Sequence, residues 1–299
     1  MRIEEANAKI NVYLDVTSRL ENGYHNIISV MQAVSLCDIV SVDFNPLEQS
    51  SVLLSATRNA NMPTDEKNIA YRAALRFLEA VGMRGRITIH IDKRIPMAAG
   101  LAGGSADAAA VLRAMNKLCH TPMTMDELCK VGASLGADVP FCIRGGSALV
   151  SGIGDIQREI TPMPPSYIVI ACMGSGVSTP YAYALLDEKY DYFRQPHIPP
   201  VDHTDILDAW QKNDSAIACR SYFNIFEDVI EKTYPSISLL KREMIKHGAI
   251  KSMMSGSGPS VFGIFSSLQA AQNAHAHLIA LGADAHIAHP KEREAFLLL

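Results

Sequence analysis

Between Ile95 and Leu118 the chain reads IPMAAGLAGGSADAAAVLRAMNKL, a run of small residues that opens directly into an alanine-rich helix pattern. Gly100, Gly103 and Gly104 stand there with Ala98, Ala99 and Ala102 among them. Small side chains let main-chain amides approach a ligand, and the unpaired amides of a helix start carry partial positive charge, so an anion is stabilised at such a place. Ser105 adds a hydroxyl donor. Phosphate binding is the chemistry this pattern would serve. A tight strand-to-helix turn uses the same small residues, and composition alone supports the two readings equally. No Gly-Lys-Ser/Thr follows, so this is not a Walker loop; it lacks the spacing of a dinucleotide fingerprint, and the protein-kinase signatures do not occur.

Elements that must hold such a loop are legible around it. The strand RITIHID ends near Ile91, and a helix starts near Ser105. Near the N-terminus Ile10, Val12, Leu14 and Val16 alternate with mostly polar partners, the period of a half-buried strand, so Lys9, Asn11 and Tyr13 project from the opposite face. NIISVMQAV, DIVSVDF and SVLLSAT read as further strands. Ile69, Ala73, Phe77 and Val81 recur at helical spacing, with Gly82 as the stop. Thr124 and Glu127 make the pair of a capping box, which predicts a helix leading into LGADVPF.

After the glycine-rich RGGSALVSGIG, the proline cluster at 161–166 divides the chain into units 1–160 and 161–299. The second unit holds a strand (SYIVIACM), helices around Pro180 to Glu188, Thr204 to Lys212 and Ser236 to Lys246, and the loop SGSG. A strand (SVFGIF), a helix (SLQAAQNAHAHLIALG) and a short strand (AHIAHP) follow. Strands and helices mix without the regular alternation of a doubly wound parallel sheet, so the fold class is α+β in two domains.

With 299 residues, each half is long enough to bury its own core. The net charge of −4 provides no general attraction for nucleic acid or anionic membrane, which leaves a small molecule as the expected partner. MRIEEANAK places two glutamates where a signal peptide needs basic residues, and no later run approaches a membrane span, so a cytoplasmic location is expected. Cys37, Cys119, Cys129, Cys142, Cys172 and Cys219 show no metal-ligand spacing and read as buried, reduced thiols.

Pro96-Met97-Ala98-Ala99-Gly100-Leu101-Ala102-Gly103-Gly104-Ser105-Ala106-Asp107 resembles the central ATP-binding motif of the GHMP superfamily of small-molecule kinases. AKINVYLDV near the N-terminus and MMSGSGPSVFGIF near the C-terminus agree with two further motifs of that superfamily in order and spacing. AKIN, NGYHNI, LGADVPF and STPYAY, with the helix start NIAYRAA, resemble in particular its kinases of a cytidine diphosphate-linked methylerythritol alcohol, and together these segments span nearly the whole chain. The resemblance implies an N-terminal domain like the second domain of ribosomal protein S5, a ferredoxin-like C-terminal domain, and an active site in the cleft between them. It implies an enzyme that uses ATP and Mg²⁺ to phosphorylate the 2-hydroxyl of that alcohol in the non-mevalonate isoprenoid pathway, as a monomer or homodimer. A homoserine or mevalonate type of GHMP kinase is the alternative, though the GYH segment argues against it; a noncatalytic binding protein on this fold is the second.

Phosphoryl transfer to an alcohol needs a positioned hydroxyl, a group to accept its proton, and cations to offset phosphate charge. The resemblance assigns the base to Asp138 and the cation to Lys9. Without it, Asp138 reads as a turn or cap residue and Lys9 as a solvated strand lysine. Asn11 and Thr179 are expected beside the acceptor, with Thr179 as an N-cap before Pro180 being compatible. The resemblance also puts Tyr24 and Tyr183 on the two faces of the cytosine and His25 at its edge; otherwise Tyr24 and His25 are a turn tyrosine and a surface histidine.

For ATP it implies residues 96–105, with Asn68 both capping its helix and facing the nucleotide. Lys93 and Arg94 either lie along the nucleotide or end a strand in solvent. Ala102 and Ala106 replace the glycine and serine of some relatives, and the first is tolerable at a negative backbone angle. Asp107 is a candidate metal ligand or a structural residue pointing away from phosphate. SGSGPS is either a tight turn or an approach to the acceptor's phosphates, and the two are compatible.

Overall fold

The computed structural model describes residues 1–58, 61–120, 123–191 and 197–293. Its first part is built on the antiparallel pair β1 (Arg2–Arg19) and β2 (His25–Pro46), joined at a tight turn where Leu20 N donates to Tyr24 O at 2.7 Å. β3 (Ser51–Thr57), helix α1 (Ile69–Val81) and β4 (Gly85–Asp92) follow, then α2 (Gly103–Leu118), α3 (Met125–Ala133), α4 (Val139–Arg144), β5 (Ser147–Ser151) and β6 (Ile156–Glu159). The second part runs β7 (Tyr167–Cys172), α5 (Thr179–Lys189), α6 (Thr204–Gln211), α7 (Ser215–Ala218), β8 (Phe223–Asn224), α8 (Glu227–Ile230), α9 (Pro235–Lys246), β9 (Lys251–Met254), β10 (Val261–Phe265), α10 (Leu268–Ala280) and β11 (Asp284–Ala288).

Two sheets result. The first is seven-stranded with the path β3-β4-β2-β1-β8, and β5 and β6 branch from β2. The second has the order β11-β7-β10-β9, all antiparallel, which in chain order of its strands is the 4-1-3-2 arrangement of a ferredoxin-like sheet. The proline cluster at 161–166 lies between β6 and β7, where the chain passes from one sheet to the other. It passes back after β11, where Pro290 bridges Val34 of β2, and at β8, which pairs in parallel with β1 at Tyr13 and Leu14. The return at β8 places Leu14, Val16 and Ile27 of the first hairpin in the core of the second part, beside Ile225 and Phe226.

Local sequence accounts for much of this. α1 buries Ala70, Ala73, Ala74, Phe77 and Leu78 on one face; Asn68 caps its start by accepting from Ala70 N, and Gly82 ends it at φ 65. α3 begins with both halves of the Thr124–Glu127 capping box in place. α2 is the central helix, and Ala106, Ala108, Ala109 and Ala110 are all buried against β1, β2 and neighbouring helices, where alanine permits close approach.

Two departures matter for the site. NIISVMQAV and DIVSVDF are one strand, not two, because β2 pairs with β1 on both sides of a bulge, Ala33 with Lys9 and Cys37 with Asn7. β1 is buried on both faces from Ala8 to Val16 rather than half-buried, since helices cover one side and the second part covers the other. A bulge between Asn11 and Tyr13 shifts the alternation by one residue. Lys9 and Asn11 therefore share a cavity with Leu14, while the Tyr13 hydroxyl turns away to donate to Val201 O at 3.3 Å.

Candidate active site

A cavity of about 660 Å³ lies between the two parts. Its walls include Pro96 to Gly100 and Ala102 to Ser105 of the small-residue loop, Asn68 and Lys93 beside them, Lys9, Asn11 and Asp138 in the middle, and Thr179 and Tyr183 at the other end. Leu101 is turned inward, 1% exposed, and contributes its carbonyl to the Lys9 backbone N–H at 3.1 Å.

The loop is folded against the C-terminal SGSG turn. Ser255 Oγ donates to Gly100 O at 3.0 Å, and Ser260 N donates to Ala99 O at 3.2 Å. Gly100 has φ 76, and a Cβ there would sit 2.1 Å from Ser255 O, so no other residue fits. Contrary to the requirement for a negative angle, Ala102 has φ 56 and caps α2 in the left-handed region; Ala98 has φ 51. For alanine that region costs about 1 kcal/mol, a strain the surrounding contacts hold in place. The first-turn amides of α2 are thereby turned toward the cavity, with Ser105 half-buried beside them. Asn68 caps α1 through its Oδ1, as expected, its Nδ2 donates to Pro63 O at 2.8 Å, and it lines the cavity.

Lys93 lines the cavity, yet its ammonium is taken up from within the protein. Nζ donates to Asp38 Oδ2 at 2.5 Å and to Asp107 Oδ2 at 2.7 Å, with the three side chains 4%, 0% and 2% exposed. Burial works against the Lys93 charge, but the two carboxylates outweigh it and raise its pKa. Burial also pushes the Asp107 carboxyl well above the usual carboxylate range, against the pull of Lys93. Asp107 Oδ1 is buried without a hydrogen-bond partner among the described residues. Arg94 ends the strand in solvent, its guanidinium paired with Asp92. Lys67, which sequence reasoning passed over, is an exposed cation on the cavity wall.

At the centre, Lys9 is 4% exposed and its Nζ donates to Asn11 Oδ1 at 2.6 Å. Asn11 Nδ2 donates in turn to Ser29 Oγ at 2.8 Å, and Ser29 to Tyr13 O at 2.7 Å, so the ammonium hangs from a fully buried chain of hydrogen bonds. This lysine is not solvated. Asp138 stands at the N-cap position of α4 but makes no capping hydrogen bond with its side chain. Burial pushes the Cys142 thiol far up, the Asp138 charge adds to the shift and the Lys9 charge opposes it. Thr179 is not the N-cap; Ser178 is, and Thr179 begins α5 with its hydroxyl 3.0 Å from Ser257 Oγ.

The far end is aromatic. Tyr183 stacks on His25 with ring centroids 4.6 Å apart and meets Phe226 edge-on at 5.0 Å. His25 is buried, with Nε2 2.7 Å from Asp187 Oδ1, and Arg19 supports the same carboxylate at 3.3 Å. It is not a surface histidine. Tyr24 is 62% exposed at the hairpin turn, and His25 occupies one face of Tyr183. Asp38, Ser29, Asp187 and Phe226 were missed from sequence. Asp38 carried a signal, a carboxylate inside the apolar strand run SLCDIV, because such a group is rarely buried unless paired.

All six cysteines are free. Glu243 of α9, His247 at its C-terminal end and His277 of α10 form a cluster. Its imidazoles are stacked at 4.4 Å with planes 29° apart, so their lone pairs run side by side rather than converge, and Lys246 takes up the carboxylate at 2.6 Å. Among the described residues no helix is long and apolar enough to cross a membrane.

Residues 68–146 match the GHMP kinases N terminal domain and residues 209–284 the GHMP kinases C terminal domain. The 4-diphosphocytidyl-2-C-methyl-D-erythritol kinase of Alkaliphilus metalliredigens (strain QYMF) is 39% identical over 95% of this chain and 94% of that one. The crystal structure of a 4-(cytidine 5'-diphospho)-2C-methyl-D-erythritol kinase superposes with a TM-score of 0.80 at 31% identity, covering 96% of this chain and 98% of that one. The homoserine kinase from Cytophaga hutchinsonii shares the fold, with a TM-score of 0.69 at 20% identity over 96% and 95% of the two chains. A loop that presents helix-start amides, a buried lysine beside an uncapped aspartate, and likeness over nearly the full length agree: this chain belongs to the 4-diphosphocytidyl-2-C-methyl-D-erythritol kinase family of the GHMP kinases.

Proposed function

We propose that this chain, an ATP-dependent small-molecule kinase by family, transfers the γ-phosphoryl group of ATP to the 2-hydroxyl of 4-diphosphocytidyl-2-C-methyl-D-erythritol, a step of the non-mevalonate isoprenoid pathway. The observation that carries the reading is one cavity holding three chemistries in sequence: a phosphate cradle, a lysine–aspartate centre and an aromatic end. Residues 96–100 and 102–105 cradle the polyphosphate through main-chain amides and Ser105, with Asn68 alongside.

Asp138 receives or orients the acceptor proton, and its side chain, uncommitted to helix capping, is available for this. Lys9, held by Asn11, supplies positive charge as the alkoxide and phosphoryl charges develop. Thr179 and Asn11 hold the acceptor. His25 and Tyr183 form a preassembled stack onto which Tyr24 folds to enclose the pyrimidine. The substrate lies between the units 1–160 and 161–299.

Mg²⁺ suits the site: Ser105 and the unpartnered Asp107 Oδ1 are the hard oxygen ligands it prefers, and they would hold it together with phosphate oxygens. When bound, the ion neutralises charge between the phosphates.

An ADP-release assay over a panel of acceptors tests the proposal. Turnover is expected with the cytidine compound, and Asp138→Asn should lower kcat by about 100-fold or more. Activity on homoserine or mevalonate without the cytidine compound would refute the acceptor, and full activity of Asp138→Asn would refute the role of Asp138.

A further inference from the structure

We propose that Asp38 is a positioning residue for nucleotide binding, acting through Lys93, and that Lys93 serves the ATP loop from beneath instead of contacting the nucleotide; this rests on the kinase reading above. The geometry is that of a clamp on both ends of the loop. Asp38 comes from β2 and is fully buried. Its Oδ1 accepts the backbone N–H groups of Arg94 at 2.5 Å and Ile95 at 2.8 Å, which fixes the chain where it enters the loop. Its Oδ2 accepts from Lys93 Nζ, and the same ammonium reaches Asp107 in the first turns of α2, where the loop ends.

Entry and exit are thus tied to one buried centre, and between them residues 96–100 and 102–105 line the cavity. A Cβ at Gly103 would come within 3.1 Å of Lys93 Nζ, so the ammonium passes directly under the start of α2. Hydrogen bonds of this kind, with one or both partners charged, are the short and strong class, and their low-dielectric setting strengthens them further. Two of the three Lys93 ammonium donors are taken by these two carboxylates.

Asp38→Asn keeps an acceptor oxygen for the amides but turns an NH₂ group toward the Lys93 ammonium, a donor facing a donor. Asp38→Glu keeps the charge, so the fold retains a counter-ion for Lys93, but its extra methylene displaces the grip on the two amides. Both variants are to be compared with the native protein by amide hydrogen exchange without nucleotide and by steady-state kinetics in both substrates.

Exchange over residues 94–105 should quicken by about ten-fold or more in each variant, while β7 and β10 keep their native protection. The KM for ATP should rise by about ten-fold with kcat within about three-fold and the KM for the acceptor unchanged. Native exchange in both variants refutes the clamp. Faster exchange with an unchanged KM for ATP refutes its role in nucleotide binding. Failure of the kinase reading would appear separately, as absence of turnover in the native protein, and the exchange result stands without it.

Discussion

Gly100→Ala places one methyl group where the phosphate loop meets the SGSG turn. The new Cβ would lie 2.1 Å from Ser255 O, 3.1 Å from Ser255 C and 3.2 Å from Gly258 N, all backbone atoms that cannot rotate aside. Restoring ordinary contact at 3.4 Å separates the two segments by more than about 1 Å. Three costs combine. Alanine at φ 76 is strained by about 1–2 kcal/mol. Forcing the packed segments apart adds about 1–3 kcal/mol, and breaking the Ser255–Gly100 hydrogen bond about 1 kcal/mol more.

A loss of about 3–6 kcal/mol is therefore expected, which for a chain of this size lowers the unfolding temperature by roughly 5–10 °C. Activity should suffer more than stability, because displacing catalytic groups by about 1 Å costs on the order of 100-fold in kcat/KM. Gly104→Ala is the control: its Cβ meets nothing closer than Ile69 Cδ1 at 3.7 Å, so the unfolding temperature should stay within about 1 °C of native. Circular dichroism melts and an ADP-release assay read both quantities. A Gly100→Ala protein with native melting and kcat/KM within about three-fold of native would refute the argument that this contact holds the loop in register.

Two further perturbations follow from the same geometry. Ala102→Gly removes left-handed strain at φ 56 and should stabilise the protein by about 1 kcal/mol, read as a shift in denaturation midpoint at constant slope; destabilisation would show that the loop relaxes in solution. The Tyr183 phenol is pushed up by burial, with the Asp138 charge adding to it, from 10.0 to about 12. The folded chain then holds a proton that the unfolded chain loses between those values, so stability falls as pH rises from 10 to about 12 and is unaffected below. Tyr183→Phe should flatten that decline in urea titrations; an unchanged decline would refute burial of the phenol.

What could be read without coordinates was whatever neighbours in the chain decide. α1 with its Asn68 and Gly82 caps, the capping box of α3, the strand Ser51–Thr57 and the small-residue loop opening into α2 all follow from contacts within a few residues, and all stand where expected. The resemblance of widely spaced segments supplied the family and the fold, and the expectation that Lys9 and Asp138 act together.

Tertiary structure decided the rest, because it depends on partners far away in the chain. One bulge in β1, set by pairing with β2, determines that Leu14 and not Tyr13 faces the cavity. Two residues of β8 return to the first sheet, a strand too short to leave any periodicity. Ala102 takes a positive φ because the loop is pinned at both ends, against its own preference. Lys93, which by sequence faces either nucleotide or water, is claimed by Asp38, fifty-five positions earlier, and by Asp107. Charge pairing over such separations lies outside any local pattern: a carboxylate and an ammonium are compatible with water, a ligand or each other, and burial alone selects among the three.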